Sequence, residues 1–262
     1  MAASILKGLG VFMDQKSYAV LVANAAVIVF HKGVRILLDG LYKDLGENFT
    51  DLPQWAWDMM KKGKGELANV DYLLFSHSHY DHYYSPYFME YMAANNVKGI
   101  CFPPIDHTMG LAAAEAEFAD KTILLDENNE AVLEQGIGLK VFTTRHVDKK
   151  FYDIPNQCFR LDLDGVKLAF LADVDYYEEA FDKEQDFAAD IVFVTPIFYN
   201  HPKGRKILQE NLKAKKIIIY HLPSPEDDRF MYFKMAQRDA EKYAQEGETV
   251  IIWNESGQNI SF

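Results

Sequence analysis

Residues 71–82 read Asp71-Tyr-Leu-Leu-Phe-Ser-His-Ser-His-Tyr-Asp-His82. A short apolar run ends in three imidazoles and a carboxylate within six residues: His77, His79, Asp81 and His82. Neutral imidazole and carboxylate oxygen are the donors that suit zinc, iron or manganese. A lone His-x-His or Asp-His pair recurs by chance. The joined pattern, placed at the end of an apolar strand where α/β folds locate their chemistry, marks a metal site. The spacing lets His77 and His79 serve one ion while Asp81 and His82 turn toward a second.

The rest of the chain sets the frame. At 262 residues it is one large domain or two small ones, long enough to bury a sizeable core. Apolar residues make up 49% and charged residues 25%, an ordinary soluble composition. A net charge of −12 speaks against a nucleic-acid partner. The two cysteines, Cys101 and Cys158, form no CxxC pair and fit a reducing cytoplasm. No secretion signal is evident, and the longest apolar stretch, residues 18–30, is too short to span a membrane.

Alternation and turn residues place strands at 18–30 and 35–38, joined through Gly33, and a helix at 51–62 that stops at Gly63. A strand at 72–75 delivers the His cluster. A helix follows to about residue 95, with Ser85 as N-cap and Pro86 at its first position. Further strands are expected at 98–102, 121–125, 139–144, 191–195, 216–220 and 250–254, with a hairpin of 157–163 and 166–172 around Asp164-Gly165. Helices are expected at 109–119 and 230–245. Strands in clusters with helices between them suggest two sheets with helices outside.

A two-metal site needs ligands beyond the hexapeptide, and each should stand at a strand end. His146, Asp173 and His221 do so in order. With Asp39 after an early strand, then His77, His79, Asp81 and His82, then His146, Asp173 and His221, the chain resembles the metallo-β-lactamase fold superfamily, over about residues 18–255. Within it, the short gaps (27 residues from His146 to Asp173, 48 from Asp173 to His221) resemble stand-alone hydrolases of the sugar-phosphate lactonase-like branch.

The resemblance implies an α/β (α+β) fold: an αββα four-layer sandwich of two mixed β-sheets flanked by helices, as one hydrolase domain over 1–262. It implies two divalent ions, zinc first, with manganese or iron as alternatives. His77, His79 and His146 hold one ion; Asp81, His82 and His221 hold the other; Asp173 bridges them. Asp39 steadies the cluster from outside. Asp81 and Asp173 are the catalytic carboxylates, and a metal-bridging hydroxide attacks a small lactone or phosphodiester. The chain departs from the common pattern at Arg145 and Ala172, where relatives often carry Gly. Arg145 thereby sets a guanidinium beside the site.

The expected partner is a small-molecule substrate, with no nucleic acid and no membrane; the oligomeric state is unreadable. Tyr176, His107 and Arg145 are candidates to touch substrate, Tyr176 weighed against packing under a loop. His201 reads as a solvated helix start, His31 as a surface turn residue, and the apolar residues of 231–243 as the core face of a helix. Two other functions compete: a non-catalytic metal-binding or sensing protein on the same fold, and a di-iron redox protein. Di-iron relatives typically carry Glu at the position of His79 and an attached flavin domain.

Overall fold

The computed structural model describes residues 17–45, 49–104, 110–183 and 187–262. The chain forms two compact units: Met1–Ile123 together with Asn254–Phe262, and Leu124–Trp253. Each contains one mixed β-sheet flanked by helices, the α+β arrangement.

The first unit carries strands β1 (Tyr18–Ala23), β2 (Ala26–His31), β3 (Val34–Leu38), β4 (Tyr72–Leu74) and β5 (Gly99–Cys101), and the last strand of the chain, β13 (Asn259–Ser261). Their order is β13-β1-β2-β3-β4-β5. The pairs from β13 to β3 are antiparallel, and β3, β4 and β5 run parallel. Parallel neighbours need crossovers. Helix α1 (Gln54–Lys61) joins β3 to β4, and α2 (Ser85–Ala94) joins β4 to β5; α3 (Leu111–Glu117) follows. Asp39 and the His cluster therefore leave the carboxyl ends of two adjacent parallel strands, where an open sheet presents its loops.

Leu37, Leu73 and Ile100 from the sheet share a buried core with Trp57, Met60, Phe88 and Tyr91. Phe88 is fully buried and lies 5.5–6.0 Å, ring centre to ring centre, from Phe75, Tyr83, Phe102 and Phe118. Phe88→Ala should cost about 3–5 kcal/mol, because the surrounding rings cannot collapse onto the hole. Urea unfolding checks this; a loss below about 1 kcal/mol would mean the rings do close over it.

The second unit carries β6 (Glu130–Val132), β7 (Gly138–Arg145), β8 (Pro155–Leu163), β9 (Val166–Phe170), β10 (Ile191–Val194), β11 (Lys216–Ile219) and β12 (Thr249–Ile252). They are ordered β12-β11-β10-β9-β8-β7-β6. Strands β9 to β12 are parallel and β6 to β9 antiparallel. Every residue of β10 is buried, which is why its sequence is a continuous apolar run. Its helices are α4 (Glu178–Lys183), α5 (Pro196–Asn200), α6 (Pro202–Glu210) and α7 (Tyr232–Tyr243). Asp164 and Gly165 both have positive φ, 55° and 90°, which suits a two-residue hairpin turn.

The structure corrects several sequence expectations. The run 18–30 is a hairpin, since Asn24, at φ 47°, turns the chain inside it. Residues 121–125 form no strand; Thr122 alone bridges to Ile100. Ser85 is the first residue of α2 and not its cap; its hydroxyl bonds Gly110 O. His31 is 2% exposed, with Nδ1 2.6 Å from Ser17 Oγ, so it is no surface residue. Met231 is 58% exposed and precedes α7, so it is no part of a core face, whereas Tyr232, Phe233 and Tyr243 of that helix do pack against the core. Strands β6 and β13 were not anticipated.

Candidate functional site

In the first unit, β4 ends at Leu74 and the next residues carry the cluster. Asp39 lies just past β3 in a left-handed conformation, φ 46°, and is 3% exposed. Its carboxylate accepts from Ser76 N at 2.8 Å, from Ser76 Oγ at 2.7 Å and from His82 Nδ1 at 2.9 Å. The Ser76 hydroxyl proton is thereby committed to Asp39, so Ser76 Oγ accepts from His77 Nδ1 at 3.0 Å. Both rings consequently carry their proton on Nδ1 and leave the Nε2 lone pair for a ligand.

His77 Nε2 and His79 Nδ1 stand 3.1 Å apart. His82 Nε2 lies 3.8 Å from Asp81 Oδ2. His77 and His82 are fully buried, while His79 and Asp81 are partly exposed. Asn24 Nδ2 donates to Asp81 O at 3.4 Å, which ties the hairpin turn to this loop.

In the second unit, three strand ends supply the other candidates. His146 follows β7, Asp173 lies past β9, and His221 lies past β11 with φ 58°. Asp173 Oδ2 is 3.4 Å from His146 Nε2, and Asp173 Oδ1 is 3.4 Å from His221 Nε2. One carboxylate thus faces two imidazoles, one oxygen to each. A short contact from His146 Nδ1 to Val147 O fixes its tautomer, because a carbonyl can only accept. Asn156 Oδ1 accepts from Asp173 N at 3.2 Å, so the backbone of Asp173 is held as well.

These donors fit divalent ions. They are imidazole and carboxylate groups past strand ends, with the Nδ1 atoms of His77, His82 and His146 already bonded and ring nitrogens approaching one another or a carboxylate. Ala172 precedes Asp173 at φ 49°, where an L side chain is strained. Ala172→Gly should raise stability by about 0.5–1 kcal/mol, the strain relieved less the extra chain entropy. Thermal unfolding checks this, and a lower midpoint would mean that the Ala172 methyl packs better than the strain costs.

The remaining candidates behave differently. Arg145 Nε donates to Asp175 Oδ2 at 2.5 Å, and its guanidinium carbon lies 4.4 Å and 4.1 Å from the ring centres of Tyr152 and Tyr177. Tyr176 stacks on His201, with ring centres 3.6 Å apart and planes 5° from parallel. His201 caps α6, accepting from Lys203 N on Nδ1. Partial burial and the nearby Lys203 and Arg205 hold its pKa below the usual histidine value. His107 lies outside the described residues. Sequence reasoning missed Ser76, whose signal was its place between the strand and His77. It also missed Tyr152 and Asp175, which carried none.

The chain belongs to the beta-lactamase superfamily: the family model for the beta-lactamase superfamily domain matches residues 21–222. No curated protein matches it. Solved structures with a similar fold include the metallo-β-lactamase fold protein YhfI of Bacillus subtilis, with TM-score 0.62, 14% identity, and coverage of 95% of this chain and 100% of that one. The metallo hydrolase Igni18 of Ignicoccus hospitalis gives TM-score 0.61, 13% identity, and coverage of 95% and 99%. CmlA of Streptomyces venezuelae, a diiron β-hydroxylase, gives TM-score 0.61 and 14% identity; the match covers 95% of this chain and 54% of CmlA. The chain thus spans about half of CmlA's length. At these identities the likeness shows the metallo-β-lactamase fold alone. Among the described residues no helix is long and apolar enough to cross a membrane.

Proposed function

We propose that this chain is a dinuclear metal-dependent hydrolase of a small ester-like substrate, a lactone or a phosphodiester, working as one domain in the cytoplasm. In this reading His77, His79 and His146 hold one ion, Asp81, His82 and His221 hold the second, and Asp173 bridges them. Zinc is the first choice of metal, and the sugar-phosphate lactonase-like hydrolases are the branch of reference. The observation that carries the reading is the Asp173 carboxylate, with each oxygen 3.4 Å from a different histidine. Family membership over residues 21–222 supports it.

Two bound divalent ions would lower the pKa of water at the site and polarise the susceptible carbonyl or phosphoryl oxygen. The chain's own contribution is orientation and proton placement. Asp39 and Ser76 keep His77 and His82 in the Nδ1–H tautomer, and Val147 O does so for His146. Asp81, partly exposed and 3.8 Å from His82 Nε2, would take a hydrogen bond from an attacking water. Asp173 sets the spacing of His146 and His221.

The test is a panel of lactones, phosphodiesters, thioesters and aryl esters, assayed with zinc or manganese, with Asp173→Ala as control. Turnover of one class that vanishes in the variant supports the reading. Two ions bound per chain without turnover would favour the sensing alternative. Bound iron with a reversible redox change would favour the di-iron alternative, toward which the likeness to CmlA points.

A further inference from the structure

The backbone that carries His146 and Asp173 also carries a charged group that the reading above leaves unused. Asp175 N donates to Arg145 O at 3.1 Å and Val147 N donates to Asp173 O at 2.6 Å, so Arg145 and Asp175 ride the same two-segment ladder as the candidate ligands. Asp175 is 3% exposed and takes Arg145 Nε at 2.5 Å; the Tyr152 hydroxyl donates to the same oxygen at 3.2 Å. The rings of Tyr152 and Tyr177 lie against the guanidinium. A planar group held at one nitrogen and against two rings has little freedom left.

Only Nε is spent on Asp175. The side chain is 36% exposed, and its two terminal nitrogens have no hydrogen-bond acceptor among the described residues. Those nitrogens form the fork that binds an oxyanion through two parallel bonds. Asp175 offsets the positive charge, so the fork acts by short-range donor geometry and not by a long-range field. In a chain of net charge −12, a fixed donor of this kind, carried on the same backbone segments as His146 and Asp173, has a use in holding an anion against the general repulsion.

We propose that Arg145 receives an oxyanion of the substrate, a carboxylate or a phosphate, so that the molecule hydrolysed is an acid-bearing lactone or ester. This rests on the hydrolase reading. The test compares a neutral lactone with its carboxylate- and phosphate-bearing analogues, using the metal-loaded wild type, Arg145→Gln and Arg145→Lys. Arg145→Gln also takes the charge partner from buried Asp175, so turnover of every substrate should fall, and the preference for the charged substrates over the neutral one should fall by about 10–100-fold on top of that, through KM. Arg145→Lys should recover part of it. Whichever analogue loses more names the anion. An unchanged preference, or equal losses on neutral and charged substrates, overturns the proposal.

A second readout needs no turnover. Inorganic phosphate should raise the melting temperature of the metal-free wild type and leave Arg145→Gln unmoved. Absence of turnover on every substrate, with an Arg145-dependent phosphate shift, would overturn the hydrolase reading and keep the anion fork. Absence of a phosphate shift in the wild type would overturn the fork.

Discussion

Asp173→Ala should lower the metal content below two ions per chain and cut turnover by at least about 10³-fold, beyond the loss typical of an outer partner. The reason lies in the two 3.4 Å approaches, one from each carboxylate oxygen to His146 and to His221. In the proposed reading, removing the carboxylate would take a shared ligand from both ions at once. Asp173→Asn should be milder in structure and nearly as severe in effect, because an amide keeps one acceptor and loses the charge. Elemental analysis of the purified variants, with circular dichroism as a folding check, decides the matter. Two ions retained in Asp173→Ala would break the ligand assignment.

Asp39→Asn should weaken metal binding by about 10–100-fold, the usual effect of losing a partner that orients a ligating histidine. It should also destabilise the metal-free protein by about 2–4 kcal/mol, because a buried amide nitrogen would then face two donors. Those donors are Ser76 Oγ and His82 Nδ1, at 2.7 Å and 2.9 Å from Asp39 Oδ2. The backbone is not the source of the cost, since Asn tolerates the left-handed conformation that Asp39 adopts. Metal titration and urea unfolding on the same variant separate the two effects. Lowered stability with unchanged metal affinity would leave Asp39 a purely structural role.

The strand ends were legible because they break a pattern. Polar, metal-competent residues follow apolar runs at Asp39, His77, Asp173 and His221, His146 follows the strand that ends Thr-Thr-Arg145, and the structure puts each just beyond a strand. What stayed hidden has physical reasons. The turn at Asn24 sits between apolar residues on both sides, so hydrophobic periodicity runs straight through it. His31 is buried by a bond to Ser17, a residue 14 positions away that no local pattern marks. Strand β13 is three residues long and owes its state to pairing with β1, a contact no short window can contain. The seat of Arg145 depends on Tyr152 and the segment of Asp175 and Tyr177 converging from two points of the chain, which spacing alone does not foretell.

The pairing of Tyr18 with Ser261 bears on how the protein is made. The second unit is one uninterrupted stretch, Leu124–Trp253, whereas the first waits for Asn254–Phe262. On the ribosome, the outer edge of β1 therefore stays open through synthesis of everything between, and its apolar run Tyr-Ala-Val-Leu-Val-Ala is exposed for that interval. A nascent chain halted after Trp253 would carry its second unit whole and its first with a sticky margin. That is the kind of substrate a holding chaperone meets.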